Sequence, residues 1–118
     1  MSAHIELERE VIEPGGRLRG SVSLDPMPGD EGRKVELSVL WQTEGKGDTD
    51  IGVVFHRVLS EGGEGARGTY PLDVTLPLLP VTFAGTLLKI RWWVRVRRYV
   101  LLGDDELYDS EVVVRWPT

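Results

Sequence analysis

Glycine and proline are gathered into short clusters along these 118 residues, and that punctuation limits the fold more than any other feature. EPGG (13–16), DPMPGDEG (25–32), EGKGDTD (44–50), SEGGEGARG (60–68), LPLLPVTFAG (76–85) and LGDDE (102–106) read as turns or loops. Between them lie seven stretches of strand-like alternation: roughly 4–12, 17–24, 33–42, 51–59, 69–76, 86–101 and 107–116. No window offers ten residues of helical periodicity with a cap and a stop, so helix should be scarce. Short strands so spaced suggest a two-sheet sandwich or a barrel.

Alternation also assigns faces. In 33–42, Val35, Leu37, Val39 and Trp41 share one side, while Lys34, Glu36, Ser38 and Gln42 share the other with Leu40. KIRWWVRVRRYV (89–100) divides in the same way, and its β-branched and aromatic content suits a strand. Ile90, Trp92, Val94, Val96 and Val100 form a core side interrupted only by Arg98. Lys89, Arg91, Trp93, Arg95, Arg97 and Tyr99 form a basic, aromatic side in a chain whose net charge is −5.

Two segments resemble the arrestin-like family of β-sandwich domains. IELEREVIEPGGRLRGSVSL (5–24) is similar to the family's opening hairpin, a strand, a Pro-Gly turn and a strand with a Gly-x-Val step at Gly20-Ser21-Val22. YPLDVTLPLLPVTFAGTLLKIRWWVRV (70–96) resembles its later run: a strand ending in Leu-Pro, a Pro-x-[Ser/Thr]-[Phe/Tyr]-x-Gly turn, then a long strand. Pro80, Thr82, Phe83 and Gly85 match that turn; Ile90, Trp92 and Val94 match the strand. The resemblance, to a single-domain, bacterial-type member, covers about two fifths of the chain and implies a fold and an adaptor-like tendency. The expected structure is all-β: a seven-stranded, antiparallel, immunoglobulin-like (arrestin-like) sandwich formed by residues 1–118 as one domain.

The residues agree with that picture. Pro77 and Pro80 cannot donate ladder hydrogen bonds and so should break the chain between strands. Gly85 can adopt backbone angles a side chain forbids. Phe83 is expected to tuck into the end of the sandwich, and Trp41 and Trp92 to share its core.

Chemistry-bearing motifs are sparse. GEGARG (63–68) matches G-x-G-x-x-G, but a strand-like, proline-broken TYPLDVTLP follows where a dinucleotide site needs a helix N-terminus, so it reads as a loop. With no cysteine, thiolate metal sites, disulfides and cysteine nucleophiles are excluded together. His4 and His56 are the only histidines, and no serine sits in a nucleophile elbow. His56 reads as an ordinary side chain of the fourth strand. Asp48/Asp50 and Asp104/Asp105/Glu106 lack the Asp-x-Asp-x-Asp-Gly calcium loop and read as turn acids. No catalytic residue, metal or cofactor is therefore expected. The acidic start MSAHIELERE carries no secretory signal and no apolar run approaches a membrane span, so a cytoplasmic chain is the default.

The expected function is a non-enzymatic protein-interaction or scaffold module with an unidentified protein partner, and a second copy of the chain is also a candidate partner. Its contact surface would be Lys89, Arg91, Trp93, Arg95, Arg97 and Tyr99, because Trp, Tyr and Arg are enriched at interface hot spots, together with an unpaired sheet edge. Two alternatives remain. The same face could read single-stranded nucleic acid by stacking bases on its aromatics, though a pI near 5.0 opposes phosphate binding. An enzyme would need a site at a subunit interface, built from His56 and acids. A hairpin turning near Asp104 would set Arg97 opposite Glu111 and Tyr99 opposite Asp109, cancelling part of the stripe. Glu6, Glu8 and Glu10 would add acid alongside it if the first strand lay there.

Overall fold

A computed structural model describes residues 3–25, 34–45, 47, 49–61, 67–99 and 104–117. All regular structure among them is strand: β1 (Ala3–Leu7), β2 (Val11–Ile12), β3 (Arg17–Leu24), β4 (Val35–Gly45), β5 (Ile51–Ser60), β6 (Gly68–Thr75), β7 (Phe83–Ala84), β8 (Leu88–Arg98) and β9 (Glu106–Val114). They form a three-stranded sheet, β1-β3-β6, and a larger sheet, β2-β9-β8-β4-β5, with β7 also paired to β8. Nine strands replace the seven expected because the short β7 forms within the expected turn at 76–85 and the first stretch divides at Glu8–Glu10. Its first half joins β3 in one sheet and its second half joins β9 in the other. The β2–β9 pairing, Val11 opposite Val113, is parallel, an exception to the antiparallel expectation.

Between the sheets lies the core that alternation marked out. Leu18 and Val22 of β3, Leu72 and Val74 of β6, Val35, Leu37 and Val39 of β4, and Trp92, Val94 and Val96 of β8 are all buried in one cluster. Trp41 is half buried and packs on that cluster beside Trp92, its register partner. Its indole lies over Gly52 on β5, where an added Cβ would stand 2.1 Å from Trp41 Cε2. Arg98, on the inward side of β8, is 2% exposed. A buried charge is tolerated only with polar partners, and no buried side-chain nitrogen or oxygen among the described residues lacks a hydrogen bond.

Pro77 and Pro80 do separate strands, since β6 ends at Thr75 and β7 begins at Phe83. The end of the sandwich is closed differently from expectation. Trp92 Nε1–H donates to the Pro80 carbonyl at 3.0 Å. Thr82 clamps β9: its N–H donates to the Val114 carbonyl and its Oγ1 accepts from the Val114 N–H, both at 2.8 Å. Phe83 therefore stays outside, 49% exposed, because β7 pairs with the start of β8 at Ile90 and Lys89 instead of entering the core. Gly85 is required for space and not for unusual backbone angles: a Cβ there would stand 2.6 Å from the Phe83 ring, and its φ is not positive. Residues 26–33, 62–66 and 100–103, with them most of DPMPGDEG and GEGARG and the expected core residue Val100, and Asp48 lie outside the described residues.

Candidate functional site

Lys89, Arg91, Trp93, Arg95, Arg97 and Tyr99 do share one side of β8, on the outer face of the larger sheet. They are less wet than the sequence suggested: Arg91, Trp93, Arg95 and Tyr99 are half buried, and only Lys89 and Arg97 are exposed. Their neighbours follow from register. On one side β4 sets Glu44 opposite Lys89, Gln42 opposite Arg91, Leu40 opposite Trp93, Ser38 opposite Arg95 and Glu36 opposite Arg97. On the other, β9 sets Glu111 opposite Trp93, Asp109 opposite Arg95 and Leu107 opposite Arg97.

That second register corrects the expected one, which placed Glu111 opposite Arg97. The slip is four residues along β9. Being even, it leaves every side chain on its expected face.

The positive charge of the stripe is neutralised arginine by arginine. Arg95 holds Asp109 through both ends of its guanidinium, at 2.8 and 3.1 Å. Arg97 donates twice to Asp105 Oδ2, at 2.9 and 2.7 Å, so this turn acid serves as a counter-ion. Arg91 lies 3.8 Å from Glu44 and 3.9 Å from Glu111. The expected acid of the first strand is absent from this face, because β1 belongs to the other sheet; Glu8 instead lies 4.0 Å from Arg19 and Glu6 3.5 Å from His4.

Glu36 organises the end of the face. Its carboxylate receives Lys34 Nζ at 2.9 Å, His56 Nε2 at 3.0 Å and the Tyr99 hydroxyl at 3.1 Å. Burial pushes its pKa up, but the hydrogen bonds from Lys34, His56 and Tyr99 outweigh that and hold it at about 2. His56 is thus tied to an acid on a neighbouring strand. Among the described residues no three His, Asp or Glu side chains gather as a metal ion would require.

One row of the face is apolar. Leu40 is 3% exposed yet belongs to the outer face, flanked in register by Val53 on β5 and Trp93 on β8. Val53 and its same-face neighbour Ile51 are each 57% exposed at the free edge of the sheet. Sequence reading found Trp93 and placed Leu40 outward, but missed Ile51 and Val53. Two irregularities in the β4–β5 pairing, skipping Val54 and Leu59, break the alternation that would have revealed them.

These layers define a β-sandwich. No protein-family model and no curated protein matches the chain. Among solved structures, it is similar to Spo0M, a sporulation control protein from Bacillus subtilis, with a TM-score of 0.64 and 17% identity, over 99% of this chain and 51% of that one. It is also similar to a superoxide reductase (neelaredoxin) from Ignicoccus hospitalis, with a TM-score of 0.54 and 14% identity, over 98% of this chain and 81% of that one. At such identities the likeness is one of fold. The chain spans about half the length of Spo0M.

Proposed function

We propose that this chain is a non-enzymatic protein-interaction module, a single arrestin-like, immunoglobulin-like sandwich working in the cytoplasm. Its contact surface is the outer face of the larger sheet. The observation that carries the reading is the row Val53, Leu40 and Trp93, with Ile51 beside Val53 on the same strand: an apolar band running to a free sheet edge across a face whose arginines are already paired. An aromatic anchor beside aliphatic side chains, rimmed by Arg–carboxylate pairs, is how interface hot spots are built. The description of Spo0M as a sporulation control protein agrees with a regulatory role exercised through contacts.

The partner lies across the band and does not extend the sheet, because the irregularities at Val54 and Leu59 interrupt the edge ladder of β5. Nucleic acid is disfavoured as the ligand of this face. Arg91, Arg95 and Arg97 would each have to leave a carboxylate to meet a phosphate.

The test is affinity capture from nuclease-treated native lysate with wild type, Val53→Glu and Trp93→Glu. A protein bound by wild type should be lost from both variants, with affinity lowered roughly 30-fold or more, as for loss of a hot spot. Equal recovery by all three would remove the band from the interface. Light scattering tests the homo-oligomer version: a strict monomer at high concentration excludes a second copy as the partner.

A further inference from the structure

A groove of about 670 Å³ opens at the opposite edge of the larger sheet from β5, where the chain passes from β1 through Glu8–Glu10 into β2. Four arginines line it, Arg9, Arg17, Arg19 and Arg115, in a chain with a net charge of −5. Two are engaged: Arg17 Nε donates to Asp73 at 3.0 Å, and Arg19 lies 4.0 Å from Glu8. Among the described residues, Arg9 and Arg115 have no side-chain hydrogen bond or ion pair. This is the reverse of the β8 face, where Arg91, Arg95 and Arg97 all have counter-ions.

Beside these guanidinium groups stands the indole of Trp116, 58% exposed. Glu13 adds a carboxylate to the wall. The backbone of the adjoining turn is already used, Gly15 N–H by the Pro77 carbonyl and Gly16 N–H by the Glu13 carbonyl. An anion here would therefore be held by guanidinium groups, which match phosphate in a bidentate way.

We infer that this groove binds a small ligand in which phosphate is joined to a planar, donor-bearing ring, the chemistry of a nucleoside phosphate. Arg9 and Arg115 take the phosphates, Trp116 stacks on the ring, and Glu13 accepts from its hydroxyl or amine donors. The mixed lining favours such a ligand over a bare polyanion, which Glu8 and Glu13 would repel. The volume falls within the range of small-molecule sites, roughly 300–1,000 Å³. The groove and the apolar band lie on different strands, so this inference stands independently of the protein-contact reading.

The experiment is calorimetric titration of the full chain with ADP, pyrophosphate, adenosine and a short single-stranded oligonucleotide. ADP should saturate below millimolar concentration and bind more tightly than the other three. Arg9→Gln, Arg115→Gln and Trp116→Leu, all exposed positions clear of the core, should each weaken ADP about tenfold, while Val53→Glu leaves it unchanged. The inference is overturned by absence of saturable ADP binding at millimolar concentration, or by equal binding to the three groove variants. Pyrophosphate binding as tightly as ADP would remove the ring from the recognition. Tighter binding of the oligonucleotide would replace the small ligand with a polymer.

Discussion

Replacing Glu36 by Gln keeps the shape of the side chain and removes its charge, and the consequence depends on pH. The carboxyl is held at about 2 against an ordinary value of 4.5. A folded-state pKa below the unfolded one stabilises the fold above the unfolded value, and this stability is lost as pH falls through the folded value. The difference of about 2.5, at 1.36 kcal/mol per unit, sets a ceiling of about 3 kcal/mol. Lys34 and His56 are 40% and 47% exposed, so solvent screens their share and about 1–2 kcal/mol is expected.

Urea unfolding of wild type and Glu36→Gln, followed by tryptophan emission at a series of pH values, isolates this contribution, because every other carboxylate cancels in the difference. Wild type should be more stable by about 1–2 kcal/mol near neutrality. That margin should hold down to about pH 5 and vanish near pH 2, the folded-state value. A margin constant down to the lowest pH, or no margin near neutrality, would refute the account of Glu36 as a charged hub.

Two further changes probe the frame that carries the candidate surfaces. Gly52→Ala puts a Cβ 2.1 Å from the Trp41 ring, and should cost about 1–3 kcal/mol by overpacking; in a Trp41→Leu background the penalty should fall below about 0.5 kcal/mol, which a double-mutant cycle of melting experiments checks. Trp92→Phe removes the hydrogen bond to the Pro80 carbonyl and leaves a gap at a fully buried site. It should lower stability by about 2–3 kcal/mol, or roughly 10 °C in melting temperature, and an unchanged melting temperature would show that Pro80 is held some other way.

What the sequence revealed and what it withheld divide along a physical line. Alternation is a local property: successive side chains in a strand must point to opposite faces. The sides of β4 and β8 were legible from that rule alone, down to Leu40 facing outward and Arg98 inward. Register depends on where a turn falls and on the residues inserted across it. The β8–β9 pairing could therefore slip by four positions without changing any face.

The candidate surfaces need both kinds of information. A stripe of arginines looks like a cationic surface until register supplies Asp109 to Arg95, while Asp105 reaches Arg97 from the turn. Glu36 looks like one more exposed acid until Tyr99 and His56 reach it from neighbouring strands. Ile51 and Val53 are hidden for a different reason, since β5 skips residues against β4 and its period of two is lost. Cross-strand pairing thus turns the most basic segment of the chain into a face with little free charge. Arg9 and Arg115, which have no counter-ion among the described residues, lie more than a hundred positions apart, and only the passage of the first strand from one sheet to the other brings them to a common groove.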